Sequence, residues 1–390
     1  MRKLMLCVAA LVLLVGSSAS AADWNFYGSA RINTFYTDFE NSPFQSPNSL
    51  AAFGSIAGDD TKNYEQGLQG NARIGARVKV SDSLSGRFEY GAQSGNANVR
   101  LLYGEWNFGA GSLLVGKNYT PLLFPYSNQV YSIDSLGKGD HNMSTFGMLY
   151  GQRRAQVRLK FGGFQIAAVD CPTLVYRDKN NGGHPFGLHA SQPDTELNFP
   201  SIQAKYKFDF KNGHISFAGA YQTFEVLNGT QTYDVDSYIL GVGGRLNVGP
   251  AYFKGNFWGG QNVGNQADIL VSGALWSTTG NANSSNFDGD GFGLAKYDGT
   301  KIVDRDAYAA LLVAGVEIRK GLYLEAGYGY VATELDEAAA EKDDAQTLYI
   351  QSTIFLAPGV FITPEIGYCD MKQKDQPEIT YYGIKWQINF

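Results

Sequence analysis

Apolar and polar residues alternate with a period of two along most of the chain beyond residue 21. The alternation is clearest over 68–80. One parity there holds Leu68, Gly70, Ala72, Ile74, Ala76, Val78 and Val80, and the other holds Gln69, Asn71, Arg73, Arg77 and Lys79. Because successive side chains of a β-strand point to opposite faces, this pattern predicts a strand with one apolar and one polar face.

Sixteen segments of this kind predict an all-β chain. We place the strands at 24–39, 67–81, 84–95, 98–108, 112–119, 151–161, 163–170, 199–210, 213–226, 236–248, 250–263, 306–319, 321–335, 345–357, 359–371 and 379–390. Short connections of turn-forming residues, such as Gly162-Gly163, alternate with long ones at 40–66, 120–150, 171–198 and 264–305. Short periplasmic turns and long outer loops are typical of a transmembrane antiparallel β-barrel. A soluble β-sandwich would not explain why the long loops fall at one end.

The N-terminus has the pattern of a secretory signal. Arg2 and Lys3 precede an apolar run that ends near Gly16, and small residues at 19–21 fit a cleavage site. The run is too short for a membrane-spanning helix, which needs about 20 residues. We therefore expect 1–21 to be a signal peptide and 22–390 to form the barrel, since only helices and closed barrels satisfy every backbone polar group within lipid.

Composition removes several function classes. With Arg2 and Lys3 set aside, 29 basic and 37 acidic residues give a net charge of −8, which argues against nucleic acid as a partner. The nucleophile-elbow, zinc-protease and phosphate-loop motifs of enzymes are missing from the sequence, so we predict neither an enzyme nor a cofactor. Only Cys171 and Cys369 follow the signal segment, and either one disulfide or two free thiols fits them.

Two loop segments hold residues that can ligate metals. His184 and His189 could bind a metal with Asp178, and Asp288, Asp290 and Asp298 could hold Ca²⁺ in the longest loop. The spacing of an EF-hand is missing, and exposed or turn-forming loop side chains are the favoured interpretation. We predict no metal site, although Ca²⁺ binding by the outer loops stays an open alternative.

Three segments resemble the Gram-negative general porins, a family of trimeric sixteen-stranded outer-membrane channels. The start, 26–30 (FYGSA), is similar to the family's opening strand. The run 108–121, with its LVGKNYTP ending, is similar to the passage into the family's third loop. Alternating aromatic residues ending at Phe390 resemble the terminal signal for barrel assembly.

The resemblance implies a channel in the bacterial outer membrane for passive diffusion of ions and small hydrophilic solutes. It also implies a homotrimer embedded in outer-membrane lipid. Small residues on the first strands would let barrels pack closely, namely Gly28, Ala30, Gly70, Ala72 and Ala76. The alternative is a substrate-specific outer-membrane channel, which needs a track of aromatic residues facing the pore, with Tyr252, Trp258 and Tyr323 as candidates.

In this family the third loop, here 120–150, folds into the barrel and constricts it. Basic residues of the wall face acidic residues of the loop. Arg73 matches a wall arginine of the second strand, and Lys117 takes a place that usually holds arginine. Either Arg153 or Arg154 matches a basic residue of the strand after the loop.

Arg31 has the parity of Ser29, a position where some members of the family place lysine. In the loop, Asp134 and Asp140 are the acidic candidates, although the family's Pro-Glu-Phe-Gly-Gly loop motif is absent. The predicted pore constriction therefore consists of Arg31, Arg73, Lys117, Asp134, Asp140 and Arg154.

Overall fold

The strands form one antiparallel sheet that closes into a barrel. The computed structural model describes residues 22–40, 61–92, 97–132, 142–177, 193–269, 293–338, 340, 342–372 and 378–390. The first strand pairs with the last from Ser29 opposite Asn389 to Glu40 opposite Glu378, which closes the sheet. Eighteen segments make sixteen strands, because two of the strands are interrupted once. The predicted sixteen-stranded antiparallel barrel is confirmed.

The strands are numbered in chain order. They are β1 (Asp23–Glu40), β2 (Thr61–Leu68 and Arg73–Lys79), β3 (Leu84–Gly91), β4 (Asn98–Asn107), β5 (Ser112–Tyr119), β6 (Arg153–Phe161), β7 (Phe164–Val169), β8 (Asp194–Glu196 and Ser201–Phe210), β9 (Gly213–Asn228), β10 (Gln231–Val248), β11 (Ala251–Gln261), β12 (Arg305–Arg319), β13 (Leu322–Leu335), β14 (Asp343–Ala357), β15 (Val360–Asp370) and β16 (Glu378–Asn389).

Polarity is reversed relative to a water-soluble protein. Large apolar side chains cover the outer surface: Phe26, Ile74, Leu240 and Leu312 each expose 60% or more of their area. Polar side chains such as Asn33, Gln203, Gln222, Ser237 and Thr347 are buried on the inner side. An apolar outer band around a polar interior is the arrangement that a transmembrane barrel needs.

The short turns match the sequence-based prediction. Every connection at one end of the barrel has two to four residues, for example 162–163, 249–250 and 358–359. At the opposite end, the predicted strands 213–226 and 236–248 imply a long connection, and this was wrong. The strands β9 and β10 are joined by Gly229 and Thr230 alone. Gly229 has a φ of +63°, which allows a two-residue hairpin and lets both strands extend past their predicted ends.

The apolar parity of β2 was also wrong at one position. The strand breaks between Leu68 and Arg73, where the backbone N–H of Ala72 donates to the carbonyl of Gln69 at 2.8 Å. This turn interrupts the alternation locally, so that Gly70 lines the interior together with Asn71. Leu68 and Ile74 keep the predicted outward orientation, with half or more of their area exposed.

Aromatic rings mark both ends of the barrel. Trp24 and Phe26 stack with ring centroids 5.9 Å apart near the short turns. At the long-loop end, Tyr36 lies 4.9 Å from Tyr64 and 5.3 Å from Tyr382. Amphipathic rings favour the headgroup level of a bilayer, so the two groups indicate its boundaries.

Parts of the long loops pack on the inner face of the β9–β10 hairpin. Segments 176–177, 296–297 and 302–303 form a small sheet there. An apolar cluster joins this sheet to the hairpin, and it consists of Val175, Phe224, Val226, Val235, Ala295 and Tyr297. Helices contribute little to the fold, and no helix in the described residues is long and apolar enough to cross a membrane.

Candidate functional site in the barrel lumen

The loop between β5 and β6 runs inside the barrel. Its described parts, 120–132 and 142–150, lie against the inner wall. Near the start of the loop, the Lys205 ammonium donates to the Leu123 carbonyl and lies 4.7 Å from the centroid of the Phe124 ring. The Tyr126 hydroxyl is 3.1 Å from Nε2 of His214 on β9.

Two carboxylates of the wall hold the middle of the loop. Glu325 on β13 accepts the backbone N–H of Asn128 at 2.9 Å and its side-chain amide at 2.7 Å. Glu365 on β15 accepts the backbone N–H groups of Val130 at 2.9 Å and Tyr131 at 3.1 Å. Hydrogen bonds to an ionised acceptor are stronger than neutral ones, and each carboxylate here binds through both oxygens.

The charge of Glu325 is compensated on the wall. The Lys254 ammonium lies 3.0 Å from its Oε2 atom, to which the Tyr252 hydroxyl donates at 2.6 Å, and the Tyr349 hydroxyl donates to Oε1 at 2.6 Å. Lys254 and Glu325 are both buried. A buried charge is costly unless it is paired and hydrogen-bonded, and this network meets both conditions.

Further contacts continue around the wall. The Val130 carbonyl accepts the side-chain amides of Asn33 on β1 at 3.1 Å and of Gln69 at 3.4 Å. The Gly147 carbonyl accepts Asn256 Nδ2 at 2.7 Å and Trp258 Nε1 at 3.1 Å on β11. The loop is therefore attached to strands on both sides of the seam where β16 meets β1.

Apolar packing holds the side of the loop that faces β10 to β14. Its fully buried residues include Leu122, Phe124, Val130, Tyr131, Met143, Phe146 and Leu149. They pack against inward residues of β10 to β14, including Ile239, Trp258, Leu311, Val331 and Tyr349. This sector of the barrel is filled by a hydrophobic core, and the open lumen lies on the other side of the loop.

The lumen is a polar cavity of about 1100 Å³. Eight basic side chains line it: Arg31, Arg73, Arg100, Lys117, Arg153, Arg245, Lys254 and Lys385. Two carboxylates, Asp268 and Glu325, also line it. The loop contributes uncharged residues, among them Pro125, Ser127, Asn128, Gln129 and Ser132.

Comparison with known proteins gives the family. The model of a family described as Gram-negative porin matches residues 8–374. The chain belongs to the Gram-negative porin family. It is a channel for solute diffusion in the bacterial outer membrane. No curated protein sequence matches the chain.

Solved porin structures share the fold of this porin at low sequence identity. The outer membrane channel DcaP of Acinetobacter baumannii is 16% identical with a TM-score of 0.68, over 96% of this chain and 99% of that one. OmpT of Vibrio cholerae, solved in a trimer form, is 17% identical with a TM-score of 0.54, over 95% and 100%. An anion-selective porin from Comamonas acidovorans is 13% identical with a TM-score of 0.53, over 94% and 100%.

Arg73 lines the lumen of the porin but is not isolated. Its NH1 atom is 3.4 Å from Glu89 on β3. The same carboxylate accepts Arg100 Nε at 2.8 Å, Arg87 NH2 at 3.1 Å and the Tyr27 hydroxyl at 2.9 Å. Three guanidinium groups are thereby held on the wall by one buried carboxylate.

Arg31 and Lys117 both line the lumen. Val115, two residues before Lys117, is half exposed on the outer surface, so strict alternation would place Lys117 outside as well. Gly116 lies between them with a φ of +128°, which interrupts the alternation. The structure thus brings Arg31, Arg73 and Lys117 to one cavity.

Arg154 lies partly buried on β6, opposite Asn118, and does not line the cavity. Its neighbour Arg153 does line it, and there its NH1 atom donates to the Tyr119 hydroxyl at 3.3 Å. Arg153 pairs directly with Tyr119, which also lines the cavity, so the two residues share the inner face. Of the two alternatives, Arg153 is the one that lines this cavity. Asp134 and Asp140 lie outside the described residues.

Four further lumen cations were not among the predicted site residues. Arg245, Lys254 and Lys385 lie in predicted strands, and the polar parity of Arg245 and Lys385 could have identified them. Arg100 could not have been found this way. The pairing of β3 with β4 shifts at Glu89, which produces a bulge at Arg100. Arg100 has the same parity as Leu102, which faces lipid, but the bulge turns the Arg100 side chain inward.

Cys171 and Cys369 are free thiols in two different buried clusters. Gln203 Nε2 is 3.6 Å from Cys171 Sγ, whereas Thr347 Oγ1 is 3.2 Å from Cys369 Sγ. The disulfide alternative is therefore not adopted.

The metal candidates at 178, 184, 189, 288 and 290 lie outside the described residues. Asp298 is described, and it accepts the Thr300 and Lys301 backbone N–H groups at 2.8 and 2.9 Å, which is a turn. Within the described ranges no group of three His, Cys, Asp or Glu residues could hold a metal ion.

Proposed function

We propose that the porin is a homotrimeric diffusion channel for ions and small hydrophilic solutes, narrowed by residues 120–150. The observation that carries the proposal is the loop itself. It crosses the barrel interior from β8 to β2 and leaves a polar, charge-lined cavity beside it. A passage of this kind favours hydrated solutes over apolar ones.

The constriction that we propose lies between the wall and the loop. Arg31, Arg73 and Lys117 supply the wall side, and Ser127 to Gln129 supply the loop side. Arg153 takes the role first assigned to Arg154. Asp134 and Asp140 stay candidates for the acidic side of the loop.

The homotrimer is supported by the solved relatives. OmpT of Vibrio cholerae was solved in a trimer form and shares the fold. The small-residue argument is weaker than the sequence indicated, since Gly28 lies under the Phe390 ring and Gly70 lines the lumen. Ala30 alone of the five is exposed on the outer surface.

A substrate-specific channel is the second candidate, because aromatic rings lie beside the lumen cations. Tyr252 is 4.9 Å from the Arg245 guanidinium, and Phe361 is 5.7 Å from the Lys385 ammonium. Tyr323 also lines the cavity, whereas Trp258 is fully buried beneath the loop. Such rings could bind one class of solute selectively.

Planar-bilayer recording of the purified protein separates the two. A general diffusion trimer should insert as large ohmic steps divided into three equal closures, and light scattering in mild detergent should give three protomers. Small steps that a particular solute blocks at low concentration would favour the substrate-specific channel. A folded protein without conductance would contradict both.

A further inference from the structure

The lumen has a large excess of positive charge. Its lining holds eight basic side chains and two carboxylates, an excess of six. Glu89 lies behind the cavity surface and pairs with Arg73 and Arg100. When Glu89 and Glu365, which lies behind the loop, are counted as well, the excess is still four.

The described part of the loop does not balance this charge. Its described residues, 120–132 and 142–150, include no acidic or basic side chain. The intervening residues 133–141 carry two aspartates, one lysine and one histidine. Even with both aspartates directed into the lumen, the cavity would stay positive.

Two of the lumen cations, Lys117 and Arg245, differ from those whose charge a carboxylate compensates. Lys254 is neutralised by Glu325, and Arg73 shares Glu89. By contrast, no carboxylate of the described residues forms an ion pair with Lys117 or Arg245. Arg245 donates to the side-chain carbonyl of Asn247 at 2.9 Å and lies 4.9 Å from the centre of the Tyr252 ring, so its positive charge is held in place but not cancelled.

From these charges we infer that the channel selects small anions, inorganic ions and short carboxylates, and that Lys117 and Arg245 carry much of the selectivity. The inference rests on the proposed function and names its solute class. A narrow cavity with low-dielectric walls concentrates the field of its fixed charges, which raises the local concentration of anions and excludes cations. Lys117 on β5 and Arg245 on β10 lie five strands apart, so an anion passing the loop meets positive charge on separate sectors of the wall.

The test is the zero-current potential of the full-length protein in a planar bilayer under a KCl gradient, repeated with potassium acetate. We expect chloride and acetate to permeate several-fold faster than potassium. Lys117→Gln and Arg245→Gln should each lower the anion-to-cation permeability ratio about twofold or more, and the double variant should lower it further.

Lys62→Gln is the matched control, because Lys62 is exposed on the outer surface and pairs with Asp38 at 3.3 Å. This variant should keep the wild-type ratio. A conducting channel that prefers potassium, or one whose ratio is unmoved by the double variant, overturns the inference and leaves the diffusion function intact. A folded protein that forms no channel overturns the proposed function, and the inference with it.

Discussion

Glu325 and Asn128 are joined by two hydrogen bonds, one to the backbone N–H at 2.9 Å and one to the side-chain amide at 2.7 Å. The bonds link a strand near the end of the chain to the loop that enters the lumen. Glu365 accepts a similar pair of hydrogen bonds from the backbone of Val130 and Tyr131. Together the four bonds fix the loop beside the charged residues that line the cavity.

The first prediction concerns these carboxylates. Glu365→Gln replaces one acceptor oxygen by an amide that faces a backbone N–H group, and loss of such a bond costs about 1.5–3 kcal/mol. We expect the loop to move more freely, which single-channel recording should register as greater open-channel noise and altered conductance. The control is Glu317→Gln, because Glu317 lies at the short-turn end and accepts a hydrogen bond from Tyr323. This variant should keep the open-channel noise of the wild type. Equal noise in both variants would show that the loop does not depend on Glu365.

A second prediction compares Arg73 with Lys117. Both substitutions to Gln remove one positive charge, but the loss of Arg73 leaves Arg87 and Arg100 beside Glu89, so that part of the wall stays positive. We therefore expect Lys117→Gln to shift the zero-current potential toward cations more than Arg73→Gln does. The shift should be larger at low salt, since the Debye length grows from about 10 Å at 0.1 M to about 30 Å at 0.01 M.

For this comparison Lys342→Gln serves as the reference, because Lys342 lies at the outer rim 3.2 Å from Asp344. If Lys342→Gln moves the potential while the two wall substitutions do not, the constriction lies elsewhere.

A third prediction concerns the C-terminus. Phe390 exchanges two backbone hydrogen bonds with Gly28, at 2.6 and 3.1 Å, and its ring covers the space where a Cβ on Gly28 would lie. Deletion of Phe390 removes these two bonds and the terminal signal that the sequence predicts. We expect less assembled protein in outer-membrane fractions, with secretion into the periplasm unchanged.

Phe390→Tyr keeps an aromatic ring and should assemble almost normally. Normal assembly of the deletion variant, measured by the same membrane fractionation, would contradict the terminal-signal interpretation.

The fourth prediction uses the close approach of Gly329 to the loop. A Cβ at position 329 would clash with the Phe146 carbonyl oxygen, which is part of the backbone and cannot move aside easily. Gly329→Ala should therefore displace the loop or the wall and destabilise the protein by about 1–3 kcal/mol, the usual cost of overpacking. The midpoint of heat unfolding, followed by the shift in SDS–gel mobility, should fall. Gly104→Ala meets no atom closer than 3.9 Å, and this variant should unfold at the wild-type temperature.

Period-two alternation was sufficient for the barrel but not for every lumen residue. It located the strands because one face of each must suit lipid. It misplaced Gly70, where a turn interrupts the strand, and it would misplace Lys117 and Arg100, since a glycine with positive φ and a bulge each shift the alternation by one residue. These irregularities come from local backbone geometry, which the polarity pattern alone does not encode.

The docking surface of the loop did leave a signal in the sequence. On β12, Ala309, Leu311 and Val313 have the parity opposite to lipid-exposed Leu312, yet they too are apolar and buried. A barrel strand that is apolar on both faces must have an apolar partner inside. This pattern could have identified the sector that the loop covers, although not the carboxylates that hold it.

The loop enters the barrel from the first third of the chain, but its carboxylate partners Glu325 and Glu365 belong to β13 and β15. The loop and its carboxylate acceptors are thus 197 and 235 residues apart in the chain. Its apolar side needs β10 to β14 and its backbone needs β13 and β15, so the width of the channel depends on strands far from the loop in sequence. A barrel without β13 or β15 would hold the loop without one of its two carboxylate acceptors.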